Sequence, residues 1–404
     1  MTTPAAPTPA ASPARTRQFD GVICFGGEDW WYHNRGHYDM QMMRRIAPRA
    51  PVLYINSIGM RTPRIAEGAM FLTRVARKAR SLRRGRVRVE PGFTVYSPLA
   101  APGRPGRRVN AALLPWQVRR AARAAGVTRP LVWVACPPAV TALDRLGPAA
   151  VVYQRTDRYE QFAGVDPDLI AGFDRDLKAR ADLTVFCASR LYEDESRACR
   201  EAFYADHGVD ADRFINAGMS RAYPEDIAAL RRPRVGFVGG IDSHTFDPAL
   251  FLSVARALPD VTFALVGACS LPEGWCDAPN VRLLGQKPYG DVAGYMAACD
   301  ALIMPWNRSK WIDACNPVKL KEYLAVGRPI VTTPFYELKH YEGLVRVADT
   351  PEAFARQVRG ALDDPGDAEA RRRRVRDQTW DAKADAVLAR LAALGITPAS
   401  REPT

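Results

Sequence analysis

The sequence predicts an α/β protein made of two Rossmann-like, doubly wound units in tandem, facing each other across a cleft. Three observations carry this. Short, continuous apolar runs alternate with helix-length stretches, the pattern of parallel strands buried on both faces. The alternation stops in a polar, proline-bearing stretch, Gly218–Pro233, and then restarts. A length of 404 residues favours two or three domains over one.

In chain order, residues 1–17 are rich in Ala, Pro and Thr and lack an apolar run, so they read as a disordered tail and not as a signal peptide. Gly21–Gly26 is the first strand, Tyr38–Ile46 a helix and Pro51–Ile55 the second strand. Strands follow at Phe93–Ser97, Leu131–Val134, Val151–Tyr153 and Leu183–Phe186, with helices at Val109–Ala125, Pro138–Leu146, Asp166–Ala181 and Arg190–Phe203. The second unit begins with the strand Arg234–Val238 and the helix Asp247–Leu258. It continues with strands at Val261–Val266, Val281–Leu283, Ala301–Met304 and Ile330–Thr332, and with helices at Gly290–Cys299 and Val318–Val326. Late helices fit Phe354–Leu362 and Arg371–Leu394, the last containing Trp380 as a packing anchor. The expected units are therefore residues 18–220, residues 221–375, and a C-terminal helix and tail, 376–404, that crosses back to the first unit.

Composition excludes several classes. Apolar content of 47% and charged content of 25% are those of an ordinary globular chain, and no apolar run is long enough to cross a membrane. The eight cysteines form no CxxC pair and read as free thiols of a cytoplasmic protein. A net charge of +13 points to an anionic partner. Cations cluster at Arg74–Arg88 among Val75 and Leu82, which suits a peripheral contact with an anionic membrane surface. No zinc-finger, recognition-helix or aromatic-sheet pattern accompanies the charge, so a nucleic-acid reader is not expected.

The chemistry concentrates at Asp313–Thr333. Asn316-Pro317 reads as an N-cap and first helical residue, Gly327 as the stop, and Arg328-Pro329 as the lead into a buried strand. A helix start offers free N–H groups and a positive dipole end, which suits a phosphate. Val318 and Lys319 lie in its first turn, and Glu322 one turn on is placed to take ribose hydroxyls. Gly239 and Gly240 end a strand and let backbone approach phosphate, with Asp242 following. Gly285–Tyr289, which contains Lys287 and Tyr289, is a strand-to-helix loop able to pack on a nucleobase.

The series GFVGG, VRLLGQKPYGDVAGYMAACDALIMPW and NPVKLKEYLAVGRPIVTT resembles the nucleotide-sugar-binding domain of GT-B glycosyltransferases, and VVYQRTDRYEQF fits their first domain. The resemblance runs from about Phe19 to Leu394 and is nearest to bacterial cell-wall and exopolysaccharide enzymes of the teichuronic-acid type. It implies a metal-independent glycosyltransferase with no cofactor beyond a nucleoside-diphosphate sugar, UDP or dTDP favoured. It also implies that Asn316, Pro317, Val318 and Lys319 meet the diphosphate, that Glu322 binds the ribose and that Gly240 faces the donor. Many retaining members carry a second glutamate upstream, at the position that here is Ala314, so inversion is favoured. Inversion needs a base on the acceptor side. Asp157, just past a strand end, is the leading candidate, with His33 and His37 in the loop after the first strand. Asp29, Trp30, Trp31 and Arg35 of that loop, with Arg155 and Arg158, are expected to hold the acceptor, a lipid-linked or cell-envelope glycan or a secondary metabolite. His207 and His340 are expected at the surface. An epimerase of the same fold and an inactive nucleotide-sugar-binding protein are the competing readings.

Overall fold

The central strands are buried along their whole length, and this burial on both faces is what builds two sheets. The structure, a computed structural model, describes residues 16–32, 36–60, 69–101, 103–162 and 164–400. In the first unit the strands are β1 (Arg17–Phe19), β2 (Gly21–Phe25), β3 (Val52–Ile55), β4 (Arg86–Glu90), β5 (Phe93–Tyr96), β6 (Pro130–Val134), β7 (Ala150–Arg155), β8 (Leu183–Phe186) and β9 (Ala202–Tyr204). Eight of them form a sheet in the order β4-β5-β3-β2-β6-β7-β8-β9, parallel except for β4, which pairs antiparallel with β5. In the second unit β10 (Arg234–Val238), β11 (Thr262–Val266), β12 (Val281–Gly285), β13 (Ala301–Met304), β14 (Ile330–Thr332) and β15 (Arg346–Val347) form a parallel sheet in the order β12-β11-β10-β13-β14-β15. The last strand, β16 (Ile396–Pro398), pairs with β1.

Each sheet is sandwiched between two apolar layers, as doubly wound packing requires. Among the elements that differ from expectation, two helices stand out. The helix expected to Phe203 ends at Glu195, and the chain turns back as β9, pairing with β8 through Thr184↔Ala202. The expected Arg371–Leu394 helix is two helices, Ala368–Arg376 and Trp380–Ala393, because Thr379 leaves the helical path and caps the second through the Ala382 N–H.

Just ahead of the expected junction, the helix Ala211–Met219 packs on the helices of the second sheet, so it sits with that unit and not before a boundary at residue 220. The two crossovers run side by side: Val209 bridges Thr379, and the Val209 N–H donates to the Gln378 carbonyl at 2.8 Å. Past the second crossover, Trp380, Ala384, Val387 and Leu391 bury into the core of the first unit.

Candidate functional site

A cavity of about 290 Å³ lies between the units at the carboxyl ends of the strands, the edge where ligands bind in open α/β sheets. From the second unit it takes Tyr289, Val318, Lys319 and Glu322; from the first it takes Gly27, Glu28, His37, Asp157, Tyr159 and Phe162. Asp157, His37, Tyr289, Val318, Lys319 and Glu322, proposed from separate stretches, are thus brought to one place.

The helix Val318–Val326 supplies one wall. It is buried nearly all round, because the helix Ala211–Met219 and the helix Ala368–Arg376 pack against it. Its N-cap is Pro317, whose side chain makes no cap hydrogen bond. The expected Asn316 cap is therefore corrected: the Asn316 amide reaches across to the first unit and donates to the Cys187 carbonyl at 2.9 Å. The first turn is left open toward the cavity. Gly327 ends the helix at φ +83°, a left-handed stop that glycine adopts without strain.

Glu322 is only 1% exposed. Its carboxylate accepts from the Lys319 ammonium at 2.6 Å and from the Tyr289 hydroxyl at 3.3 Å. Tyr323, the next residue, reaches the end of β10: its hydroxyl accepts from the Val238 N–H at 2.7 Å and donates to the Val238 carbonyl at 3.4 Å. Pairing between β10 and β13 stops at Gly236↔Leu302, so this hydroxyl takes over where that pairing ends. It ties the helix to the edge where Gly239 and Gly240 follow. Gly267, at φ +157°, runs against the Gly239 carbonyl, where an added Cβ would collide.

The opposite wall is carried by β7. Its last residues deliver Asp157, and the Tyr159 N–H donates back to the Asp157 carbonyl at 2.9 Å. The Cys315 thiol lies 3.7 Å from Oδ1 of Asp157, a contact between the two units. Burial pushes the Asp157 carboxyl above the usual carboxylate range, against the opposing pull of that thiol and of Arg155. His37 stands at the start of the helix Tyr38–Ile46.

Other proposed residues are placed elsewhere. Asp242 spends its carboxylate on its own turn, accepting from the N–H groups of His244 and Thr245 at 2.9 and 2.8 Å. Lys287 pairs with Asp226 at 2.6 Å and lies over Tyr295, outside the cavity lining. Trp30 is 1% exposed and packs on Tyr54 and Phe93, so it is core and not a stacking platform. Trp31 is covered by Arg84, 4.5 Å from its ring centre. Asp29 holds the loop by accepting from the Trp31 N–H and the Ser81 hydroxyl, at 2.9 and 2.7 Å. Arg155 is buried among Glu160, Asp174 and Glu195 at 3.0 to 3.4 Å, and Arg158 pairs with Asp194 at 2.7 Å, so neither faces an acceptor. His33 and Arg35 lie outside the described residues. His207 is not a surface residue: it packs edge-on between Tyr38 and Trp380, and burial lowers its imidazole pKa to about 3. His340 faces Glu337 at 3.7 Å.

The sequence reading missed Gly27 and Glu28, although Gly26-Gly27 after β2 repeats the strand–Gly–Gly pattern of Gly239-Gly240. It also missed Asp39, which is buried and accepts from the Gly27 N–H at 2.9 Å and the Tyr54 hydroxyl at 2.8 Å, fixing that glycine turn.

Residues 232–364 match the family model described as Glycosyl transferases group 1. TuaH of Bacillus subtilis (strain 168), named as a glycosyltransferase of teichuronic acid biosynthesis, is 31% identical over 261 residues, 57% of this chain. That match spans 64% of the length of TuaH. Among solved structures, sucrose-phosphate synthase of Thermosynechococcus elongatus superposes with a TM-score of 0.69 at 15% identity, covering 94% of this chain and 99% of that one. Anabaena HepE, solved with UDP and glucose, gives 0.63 at 15% identity, covering 93% and 100%. The α,α-trehalose 6-phosphate synthase of Burkholderia multivorans gives 0.63 at 15% identity, covering 93% and 99%. The fold is GT-B.

Proposed function

We propose that this chain, a GT-B fold with a group 1 glycosyl transferase domain at residues 232–364, moves a sugar from a UDP-sugar to a hydroxyl of a cell-envelope glycan. The observation that carries the reading is the uncapped start of the Val318–Val326 helix opening into a cavity whose far wall holds Asp157. The helix tip and Lys319 take the diphosphate, since unpaired N–H groups and the helix dipole favour an anion there. Glu322, held ready by Lys319 and Tyr289, exchanges those partners for the ribose hydroxyls.

The acceptor oxygen attacks the anomeric carbon and gives its proton to Asp157, whose raised pKa brings it nearer the working pH of a base. The bond from the anomeric carbon to the β-phosphate oxygen breaks, and the negative charge leaves on the nucleoside diphosphate, where the helix tip and Lys319 stabilise it. One displacement inverts the anomeric configuration. Two likenesses support the choice of substrates: HepE is solved with UDP and glucose, and TuaH is named for teichuronic acid biosynthesis.

The test is thermal stabilisation by UDP, dTDP, GDP and ADP. A ligand at about a hundredfold its Kd adds roughly 2.7 kcal/mol. UDP should stabilise the wild type, and Glu322→Ala should lose the shift while keeping a cooperative transition. Stabilisation by none of the four, or an undiminished UDP shift in Glu322→Ala, overturns the reading.

A further inference from the structure

We infer that the outward face of the helix Gly103–Arg123, with Leu99 beside it, docks on an anionic lipid bilayer. The inference goes beyond the transferase reading and does not depend on it.

Buried residues of this helix, Leu114, Gln117, Val118, Ala121 and Ala122, face the sheet. The face turned away carries Val109, Ala112, Trp116, Arg119, Arg120 and Arg123, at helical spacing. Val109 is 54% exposed and Trp116 62%. Leu99, 56% exposed, is fastened alongside: its N–H donates to Gln117 Oε1 at 3.0 Å, and Gln117 Nε2 donates to its carbonyl at 2.9 Å. Asn110 ties Ala101 in the same way, at 2.8 and 2.7 Å. Three of the seven large apolar side chains exposed among the described residues therefore come from one short stretch. An exposed tryptophan on a structured helix, flanked by two aliphatics and followed by arginines, is the make-up of an interfacial membrane contact.

Charge selects the occupant. Arg119, Arg120, Arg123 and the neighbouring Arg145 border one groove and take part in no salt bridge among the described residues. The nearest carboxylate of that groove, Asp144, is already paired with Arg180. This leaves uncompensated positive charge beside the apolar stripe, on a chain of net charge +13. By contrast, the Arg74–Arg88 segment spends part of its charge internally: Arg77 and Arg84 lie over Tyr32 and Trp31, and Lys78 donates to the Ser57 carbonyl.

Position adds a reason for the contact. The helix follows β5 and precedes the parallel strand β6, so its first turns lie at the carboxyl edge of the sheet, the edge that carries the cavity. Leu99 and Val109 are at that end. A bilayer lying on this face would sit beside the mouth of the acceptor-side unit.

The experiment is co-sedimentation of the full chain with phosphatidylcholine vesicles containing about a third phosphatidylglycerol, an anionic surface for which each basic residue contributes about fivefold in partitioning. Binding is expected to these vesicles and not to pure phosphatidylcholine. Trp116→Glu should weaken it at least tenfold, and the triple variant Arg119→Glu/Arg120→Glu/Arg123→Glu roughly a hundredfold. Arg86→Glu/Arg88→Glu, on β4, is the control that should retain most of it. All these side chains are exposed, and melting curves check that the variants fold. Absence of wild-type binding overturns the inference, as does equal binding by Trp116→Glu or loss confined to the β4 control. A monomer–dimer equilibrium abolished by Trp116→Glu, or salt-sensitive RNA binding, with no vesicle binding in either case, also overturns it.

Discussion

Replacing Tyr323 by Phe removes one oxygen from the point where the donor helix meets the end of β10. Tyr323 is fully buried, and its hydroxyl accepts from the Val238 N–H at 2.7 Å. Val238 is itself buried, and β13 no longer pairs with β10 at that level, so no strand and no solvent replaces the lost acceptor. The variant therefore bears the desolvation penalty of an orphaned N–H, about 1–3 kcal/mol, and dry surroundings place it toward the upper end. For a unit of 150–250 residues each kcal/mol moves Tm by about 2–4 °C, so a loss of about 2–3 kcal/mol shifts it by roughly 4–12 °C. Urea unfolding gives the free energy and calorimetric titration gives the UDP affinity. Because the same hydroxyl holds the Gly239-Gly240 edge against the helix, UDP affinity should fall with stability. A stability loss below about 0.5 kcal/mol would refute the reasoning, since surface changes alone reach that size.

Four further predictions concern charge. Arg155→Met should cost about 3–5 kcal/mol, because it leaves Lys178 as the one remaining cation beside Asp174 and Glu195 and none beside Glu160 among the described residues. Arg158→Ala should cost under about 1 kcal/mol, because the Arg158–Asp194 pair is partly exposed; comparable losses in chemical denaturation would contradict this. Burial lowers the His207 pKa to about 3 from 6.5, so the folded state takes up its proton later than the unfolded chain. The His207 contribution is at its full value above about pH 6.5 and is lost as pH falls toward 3, by about 1.4 kcal/mol per pH unit. His207→Gln should flatten that part of the stability profile, and an unchanged slope would refute the assignment. Asp157→Asn should lower kcat about 10²–10⁴-fold. The acid limb of the wild-type rate profile should lie above the ordinary carboxylate range, because burial raises the Asp157 pKa; an acid limb shared by wild type and variant would remove Asp157 as the base.

The strands and the order of the helices were legible because burial on both faces writes continuous apolar runs into β2, β6, β7 and β10. Short edge strands such as β9 and β15 leave no such run. Glu322, Lys319 and Asp157 were legible because each follows a strand or opens a helix at the edge where a cleft must lie. The aromatic loop after β2 misled for a physical reason. Trp30, Trp31 and Asp29 look like ligand groups in a string of letters, yet their partners, Phe93, Arg84 and Ser81, come from distant segments that only the fold brings near. Arg155 misled in the same way: its three carboxylates lie on separate elements, and sequence spacing does not show that they converge. Asn316 looked like a cap because capping is local; its actual bond to the Cys187 carbonyl spans the two units.

The paired crossovers have a consequence for how the chain matures. The segment from Val209 to Thr379 is, in effect, an insertion within the first unit, whose last helix and the strand facing β1 are supplied only after the second unit is complete. On the ribosome the first unit is thus begun earliest and completed last, with the Tyr38 side of its core waiting for Trp380. Joining residue 209 directly to residue 379 would let the first unit finish without that wait, as a separate fold in which the acceptor wall could be studied alone.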